Sequence, residues 1–266
     1  MKLIGLDVDG TLVNSQRVIS EKTRLSLIRA MEEGHKLAIV TGRPRAGVID
    51  LAEKLEFKKY GGYLSTFNGG MLVDYKNDKV IKNHSLDSKL AMEIIHFSKD
   101  LDLEIIIPHK DKLYTRKRGF YAEFEAKALN MDLVVEENLE NIIDFAPNKF
   151  LFAQKSEKID LPSQKLKEAF GEQTEQVKSS RFYYEVMPKG LSKGKSLIEL
   201  GEILGIKRED TLAFGDEMND YSMIEMAGVG IAMANAVDPI KNLADYITLS
   251  NDEDGISYYL EKFILV

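Results

Sequence analysis

A chain of 266 residues, 44% hydrophobic and 30% charged, has the length of one or two domains and the composition of an ordinary globular fold with a sizeable core. Its net charge of −7 argues against non-specific nucleic-acid binding, and with no cysteine it has neither disulfides nor cysteine–zinc sites. The four histidines (His35, His84, His96, His109) lack any metal-binding spacing, no apolar run is long enough to span a bilayer, and the N-terminus enters a strand at once, so no membrane association and a cytoplasmic location are expected.

The first strand, Lys2 to Leu6, runs straight into Asp7-Val8-Asp9-Gly10-Thr11. Alternation along a strand puts Asp7 and Asp9 on one side, and Gly10 lets the chain turn sharply after them. Two carboxylates forced together repel unless a cation or a shared proton compensates, and an aspartate can act as a nucleophile that forms an aspartyl-phosphate. Metal-assisted phosphoryl chemistry is therefore one reading; a solvated acidic turn is the other. A calcium loop counted from Asp7 requires glutamate at its twelfth position, where Val18 stands.

Ser20 is a suitable N-cap for a helix with Leu25, Ile28 and Met31 on one face, ended by Gly34. Lys36 to Val40 reads as a second apolar strand, followed by Thr41-Gly42-Arg43-Pro44 and a helix carrying Val48, Leu51 and Leu55, with Pro44 in its first turn. Strands alternating with helices imply a parallel sheet covered on both faces. Tyr63 to Phe67 is a further strand, then Asn68-Gly69-Gly70 turns the chain into a hairpin around Lys76-Asn77-Asp78.

Between about 85 and 187 the pattern becomes α+β with an antiparallel sheet. Helices are predicted around Leu90–Leu101, 119–129 and 162–170, and strands at Glu104–Ile107, Lys112–Thr115, Leu133–Val135, Asn148–Gln154 and Phe182–Met187. The basic run Arg116-Lys117-Arg118 reads as a solvated loop, with an anionic substrate as the sharper alternative. From Lys189 onward the alternation returns: a helix through Leu197, Leu200 and Leu204, a strand Thr211–Phe214, a strand Gly228–Met233, and a last helix over Ile256–Leu265. The expected architecture is a Rossmann-like α/β core made of residues 1–84 and 188–266, with an α+β domain, 85–187, inserted in it.

In an open α/β sheet, ligands bind beyond the carboxyl ends of the strands. Three strands here end in polar, turn-forming clusters: Asp7-Val8-Asp9-Gly10, Thr41-Gly42-Arg43 and Gly215-Asp216-Glu217-Met218-Asn219-Asp220. In a parallel sheet all three project to one edge. Asp7, Asp9 and Asp216 then offer oxygens to Mg²⁺, Thr41 offers a hydroxyl, and the amides after Thr41 open a helix, a natural phosphate site. The segment Pro188 to Ser196 supplies lysines ahead of a helix; its Gly190 to Ser196 stretch is one residue short of a nucleotide P-loop. Ser250 to Glu261 approaches a calcium loop, but it begins with serine and follows a strand, so an acidic turn capping the last helix is expected. Taken singly, Lys193, Thr41, Asn219 and Asp220 are ordinary helix-start, cap and turn residues, and Arg43 is equally a substrate contact or a partner for a surface carboxylate.

The four clusters in this order resemble the haloacid dehalogenase superfamily, and the large insert between the second and third resembles its Cof-type branch. Asp7-Val8-Asp9-Gly10-Thr11, Thr41-Gly42-Arg43-Pro44, Lys193 in Leu191-Ser192-Lys193-Gly194, and Gly215 to Asp220 are similar to the four motifs; Phe67-Asn68-Gly69-Gly70, Ala227 to Met233 and Asp254-Gly255 agree as well. The resemblance, closest to bacterial sugar-phosphate phosphatases, implies hydrolysis of small phosphorylated metabolites. It implies Asp7 as nucleophile, and Asp9 as general acid and then general base. Mg²⁺ would be held by Asp7, the Asp9 carbonyl and Asp216. Thr41, Lys193 and Asn219 would hold the phosphoryl group with the backbone of Val8 and Gly42, and Asp220 would support the metal shell or Lys193. A phosphomutase or a non-catalytic phosphometabolite-binding protein is the alternative.

Overall fold

The computed structural model describes residues 1–265. Its strands are β1 (Leu3–Leu6), β2 (Lys36–Val40), β3 (Tyr63–Thr66), β4 (Met71–Asp74), β5 (Lys79–Asn83), β6 (Glu104–His109), β7 (Lys112–Thr115), β8 (Asp132–Val135), β9 (Phe150–Ala153), β10 (Thr174–Lys178), β11 (Tyr183–Pro188), β12 (Thr211–Gly215), β13 (Val229–Ala232) and β14 (Tyr246–Ile247). They form an eight-stranded sheet ordered β14-β13-β12-β1-β2-β3-β4-β5 and a six-stranded sheet ordered β10-β11-β9-β6-β7-β8. The chain divides into two compact units, one of residues 1–43, 48–82 and 192–266, the other of 44–47 and 83–191.

In the first unit β14, β13, β12, β1, β2 and β3 run parallel, and β4 returns antiparallel against β3. The central strands β1, β2 and β12 are apolar apart from Lys36 and Thr211 at their starts, because helices cover both of their faces. Ile4, Leu6, Leu37, Ile39, Leu212 and Phe214 pack on one side with Leu27, Met31 and Leu260. Leu3, Ala38, Val40 and Ala213 pack on the other with Leu197, Leu200 and Met223. The α/β class with a Rossmann-like core is thus borne out.

Ser20 caps the helix Glu21–Glu32 by accepting from the Thr23 amide. Leu25 does not join its inner face: it is 52% exposed, and Thr23, Ser26, Leu27, Ile28, Ala30 and Met31 are buried instead. A helix face defined by Thr23, Ser26 and Leu27 is masked in the sequence, because two of its residues are polar. Ser26 and Ser257 satisfy each other across to the last helix, Gly255–Phe263, at 2.6 Å.

The second unit is an α+β layer. Phe150, Phe152, Tyr184, Val186, Ile105 and Ile107 share a core with Ile94, Ile95 and Leu166 from the helices Ser88–Phe97 and Asp160–Phe170. Three expectations are corrected. The sheet is not wholly antiparallel, since β7 and β8 pair in parallel, and β10 is a strand the sequence reading did not contain. Thr174-Glu175-Gln176-Val177-Lys178 has one fully apolar residue, so an edge strand of this kind has no hydrophobic signal. Arg116 is not a solvated loop residue either. Its guanidinium bonds Ser98 Oγ at 3.0 Å and the Ile95 carbonyl, closing the C-terminal end of Ser88–Phe97.

Candidate active site

Because β2, β1 and β12 are parallel neighbours, the residues that follow them meet at one edge of the sheet. Asp7 comes first: its amide donates to the Phe214 carbonyl at 3.1 Å, and its side chain is 7% exposed. The strand ends at Leu6, so strand alternation does not place Asp9. The chain turns instead, with Leu12 N–H donating to Asp7 O and Val13 N–H to Val8 O, and Asp9 forms an isolated bridge with Val13. The expectation that Asp7 and Asp9 lie on one strand face is corrected accordingly: Asp7 is buried, whereas the Asp9 side chain is 61% exposed. Arg43 donates to both Asp9 oxygens, Nη2 to Oδ1 at 2.6 Å and Nε to Oδ2 at 3.0 Å.

Lys193 is the first residue of the helix Lys193–Leu204, behind the N-cap Ser192, whose hydroxyl accepts from the Lys195 amide. Its side chain is fully buried and its ammonium donates to Asp7 Oδ1 at 2.5 Å and Asp220 Oδ1 at 2.6 Å. The second oxygen of Asp220 accepts from the amides of Asp216 and Glu217 at 2.9 and 3.1 Å. Asp220 therefore anchors both the lysine and the loop after β12. Asp216, 6% exposed, accepts from Thr11 Oγ1 through Oδ1 at 2.7 Å. Gly10 sits against it with φ +81°, and a Cβ there would lie 2.2 Å from Asp216 Oδ2, so only glycine fits.

Thr41 is buried, and its hydroxyl accepts from the Arg43 amide at 3.2 Å. The expected helix does not open at Gly42. The chain stays irregular to Pro44, makes a 3-10 turn at Arg45–Val48 and becomes α-helical at Ile49–Lys54. The reason lies in a later segment: Thr41 O and Arg43 O accept from the Asn68 and Phe67 amides, which draws both carbonyls away from helical bonding. Asn219 lies in the 3-10 turn Met218–Asp220 and is exposed, outside the buried group. Glu261 does not complete a calcium loop; Asp254 instead accepts from the Ser20 and Thr23 hydroxyls at the start of the first helix.

The buried group is electrostatically unbalanced. Asp7, Asp216 and Asp220 bring carboxylate oxygens within 4.8 Å of one another around one ammonium. Burial, then repulsion from Asp220, pushes the Asp7 carboxyl well above the usual range against the pull of Lys193. Burial pushes Asp216 up to about 7, with the Thr11 hydroxyl opposing and Asp220 adding to the rise. Burial works against a charged Lys193, but Asp220 and Asp7 outweigh it and hold the ammonium above the ordinary lysine range.

These residues suit a hard divalent cation. Both oxygens of Asp220 are already engaged, which leaves Asp7 Oδ2 and Asp216 Oδ2 without hydrogen bonds from the described residues. Oxygen-only donors of this kind match Mg²⁺, and a divalent charge relieves the excess of acid. Folding stability of the metal-free protein is then expected to fall as the pH rises from about 4 towards 7, since a raised folded-state pKa favours the protonated, acid side. Added Mg²⁺ should accordingly raise the melting temperature more at pH 8 than at pH 5, measured by differential scanning fluorimetry.

The chain belongs to the haloacid dehalogenase-like hydrolase family, whose model matches residues 4–260. A Bacillus subtilis relative, the 5-amino-6-(5-phospho-D-ribitylamino)uracil phosphatase YcsE, is 32% identical over 266 residues, covering 100% of this chain and 96% of its own. The crystal structure of a haloacid dehalogenase-like hydrolase from Bacteroides thetaiotaomicron superimposes with a TM-score of 0.94 at 32% identity and 99% coverage of both chains. A subclass IIB sugar phosphatase of the same superfamily superimposes with a TM-score of 0.82 at 26% identity and complete coverage of both chains, 100% each. The resemblance drawn from the four motifs is borne out, and the chain is an enzyme of the hydrolase class.

Sequence reasoning did not assign Thr11, although it stands inside the first motif, nor the pairing of Arg43 with Asp9. It also missed Asn235, which donates to the Gly10 carbonyl at 2.8 Å. Asn235 follows β13 at the same sheet edge, and that position was its available signal. No helix among the described residues is long and apolar enough to cross a membrane.

Proposed function

We propose that this protein is a Mg²⁺-dependent phosphatase that hydrolyses small phosphomonoesters, sugar phosphates foremost, through an aspartyl-phosphate on Asp7. The observation that carries this reading is the buried Asp7–Lys193 contact of 2.5 Å beside Asp216 at the carboxyl edge of β1 and β12. Buried charges of this density are costly, and a fold retains them where chemistry uses them. Relatives named as phosphatases across their full length support it further.

Asp7 attacks phosphorus, the bond to the ester oxygen breaks, and Asp9 gives that oxygen its proton. Water then attacks the aspartyl-phosphate, Asp9 takes the proton, and inorganic phosphate leaves with Asp7 restored. For either step Asp9 has to release at least one of its two bonds to Arg43. Lys193 offsets the repulsion between an anionic nucleophile and a dianionic phosphate; Thr41, Asn219 and the amides of Val8 and Gly42 hold the phosphoryl oxygens. Asp7, Asp216 and the Asp9 carbonyl hold Mg²⁺, which when bound adds positive charge next to the phosphoryl group. Residues 85–187 are assigned the choice of ester, and the cytoplasm is the proposed location.

Phosphate release from a panel of sugar phosphates, nucleotides, pyridoxal phosphate and 5-amino-6-(5-phospho-D-ribitylamino)uracil tests the reading, run with Mg²⁺ and with EDTA. Release that EDTA abolishes is expected. Isomerised sugar phosphate without free phosphate would identify a mutase, and saturable binding without either product a non-catalytic binder.

A further inference from the structure

The acid-bearing loops after β1 and β12 are tied together by a segment that carries no acid of its own. Within Met233–Val237, the Met233 amide donates to the Gly215 carbonyl at 3.1 Å and the Val237 amide to the Asp216 carbonyl at 3.0 Å. Between them, Asn235 reaches the other loop. Its Nδ2 donates to the Gly10 carbonyl at 2.8 Å, and its Oδ1 accepts from the Asn251 amide at 3.1 Å. Asn251 continues the chain of contacts, with Nδ2 donating to the Val13 carbonyl at 2.9 Å, and Asp252 Oδ1 accepts from the Ser15 amide at 2.8 Å. Residues 10–15 are thus gripped at three points by side chains from more than two hundred positions away.

We infer that Asn235 and Asn251 form a clasp that sets the distance between the Asp9–Gly10 backbone and Asp216, and so tunes the affinity for Mg²⁺. The argument is geometric. The Leu12 and Val13 amides close the turn on Asp7 and Val8, but Gly10 within it, at φ +81°, has many conformations open to it, so its own carbonyl needs a further partner. Asn235 holds the Gly10 carbonyl and so the Gly10–Thr11 peptide plane, which positions Thr11 against Asp216 and restricts the freedom of Gly10, on whose other side the Asp9 carbonyl lies. The same segment fixes the backbone of Asp216, while Thr11 fixes the Asp216 carboxylate from the Gly10 side. Partners of this kind, one step behind the groups that face a metal, orient them, and their loss typically weakens metal binding about 10-fold or more. Asn235 and Asn251 are positioning residues that act through Gly10 and Val13.

This inference rests on the Mg²⁺ site proposed above. Isothermal titration of Mg²⁺ into substrate-free wild-type protein, Asn235→Ala, Asn251→Ala and the double variant tests it. Each single variant is expected to weaken Mg²⁺ binding about 10-fold, and the double variant little further, because both belong to one clasp. Equal Mg²⁺ affinity in wild type and variants, with or without a lower melting temperature, would overturn the clasp and leave the phosphatase reading intact. Should Asn235→Ala not fold, Asn251→Ala reaches the same loop from the other side and decides alone. A wild-type protein that binds no Mg²⁺ would count against the metal site itself.

Discussion

Asp7→Asn is expected to lower phosphate release by at least about four orders of magnitude, because the amide cannot attack phosphorus and no second carboxylate stands where Asp7 stands. The fold should survive. Lys193 keeps its 2.6 Å contact with Asp220, and the substitution removes one negative charge from a buried group that has three carboxylates to one ammonium. The melting temperature without Mg²⁺ is therefore expected to equal or exceed that of wild type, and most clearly above pH 8, where the wild-type Asp7 and Asp216 both carry their charge. Circular dichroism and scanning fluorimetry on the purified variant check the fold. Wild-type turnover from this folded variant would remove Asp7 from the mechanism.

Lys193→Met removes both turnover and stability. Methionine fills a similar volume without the ammonium, so Asp7 and Asp220, each bonded to Lys193 in wild type, face one another uncompensated. Breaking a fully buried ion pair by deleting one partner costs about 3–5 kcal/mol. The deficit should shrink as the pH falls, since protonation of Asp7 relieves the repulsion that the ammonium otherwise cancels. Urea unfolding of wild type and variant at pH 8 and pH 5 measures this. A deficit that is the same at both pH values would mean that packing, not charge, accounts for the loss. Lys193→Arg is not expected to rescue activity: a planar guanidinium does not fit the place of a fully buried, two-bond ammonium.

Much of this was legible in the chain. The alternation of Lys36–Val40, Thr211–Phe214 and Gly228–Met233 with helical segments led to a parallel sheet, and the polar clusters after its strands do converge at one edge. What escaped were features set by contacts between distant residues. The 3-10 geometry after Thr41 follows from amides at Phe67 and Asn68, and the burial of Ser26 from its partner Ser257. Asp9 leaves the face of Asp7 because β1 ends at Leu6 and the chain folds back on Val8 and Val13. Strand periodicity has no bearing on a turn. Support of Lys193 was one of the two roles expected of Asp220, but the motif contains no sign that its second oxygen is committed to the amides of Asp216 and Glu217.

The most direct test is rapid acid quench of the wild-type enzyme during turnover with Mg²⁺, followed by mass spectrometry of the peptide that contains Asp7. One phosphoryl group on Asp7, formed before free phosphate and absent in EDTA, is the predicted result. Steady release of phosphate with no modification of Asp7 at any quench time would contradict the account.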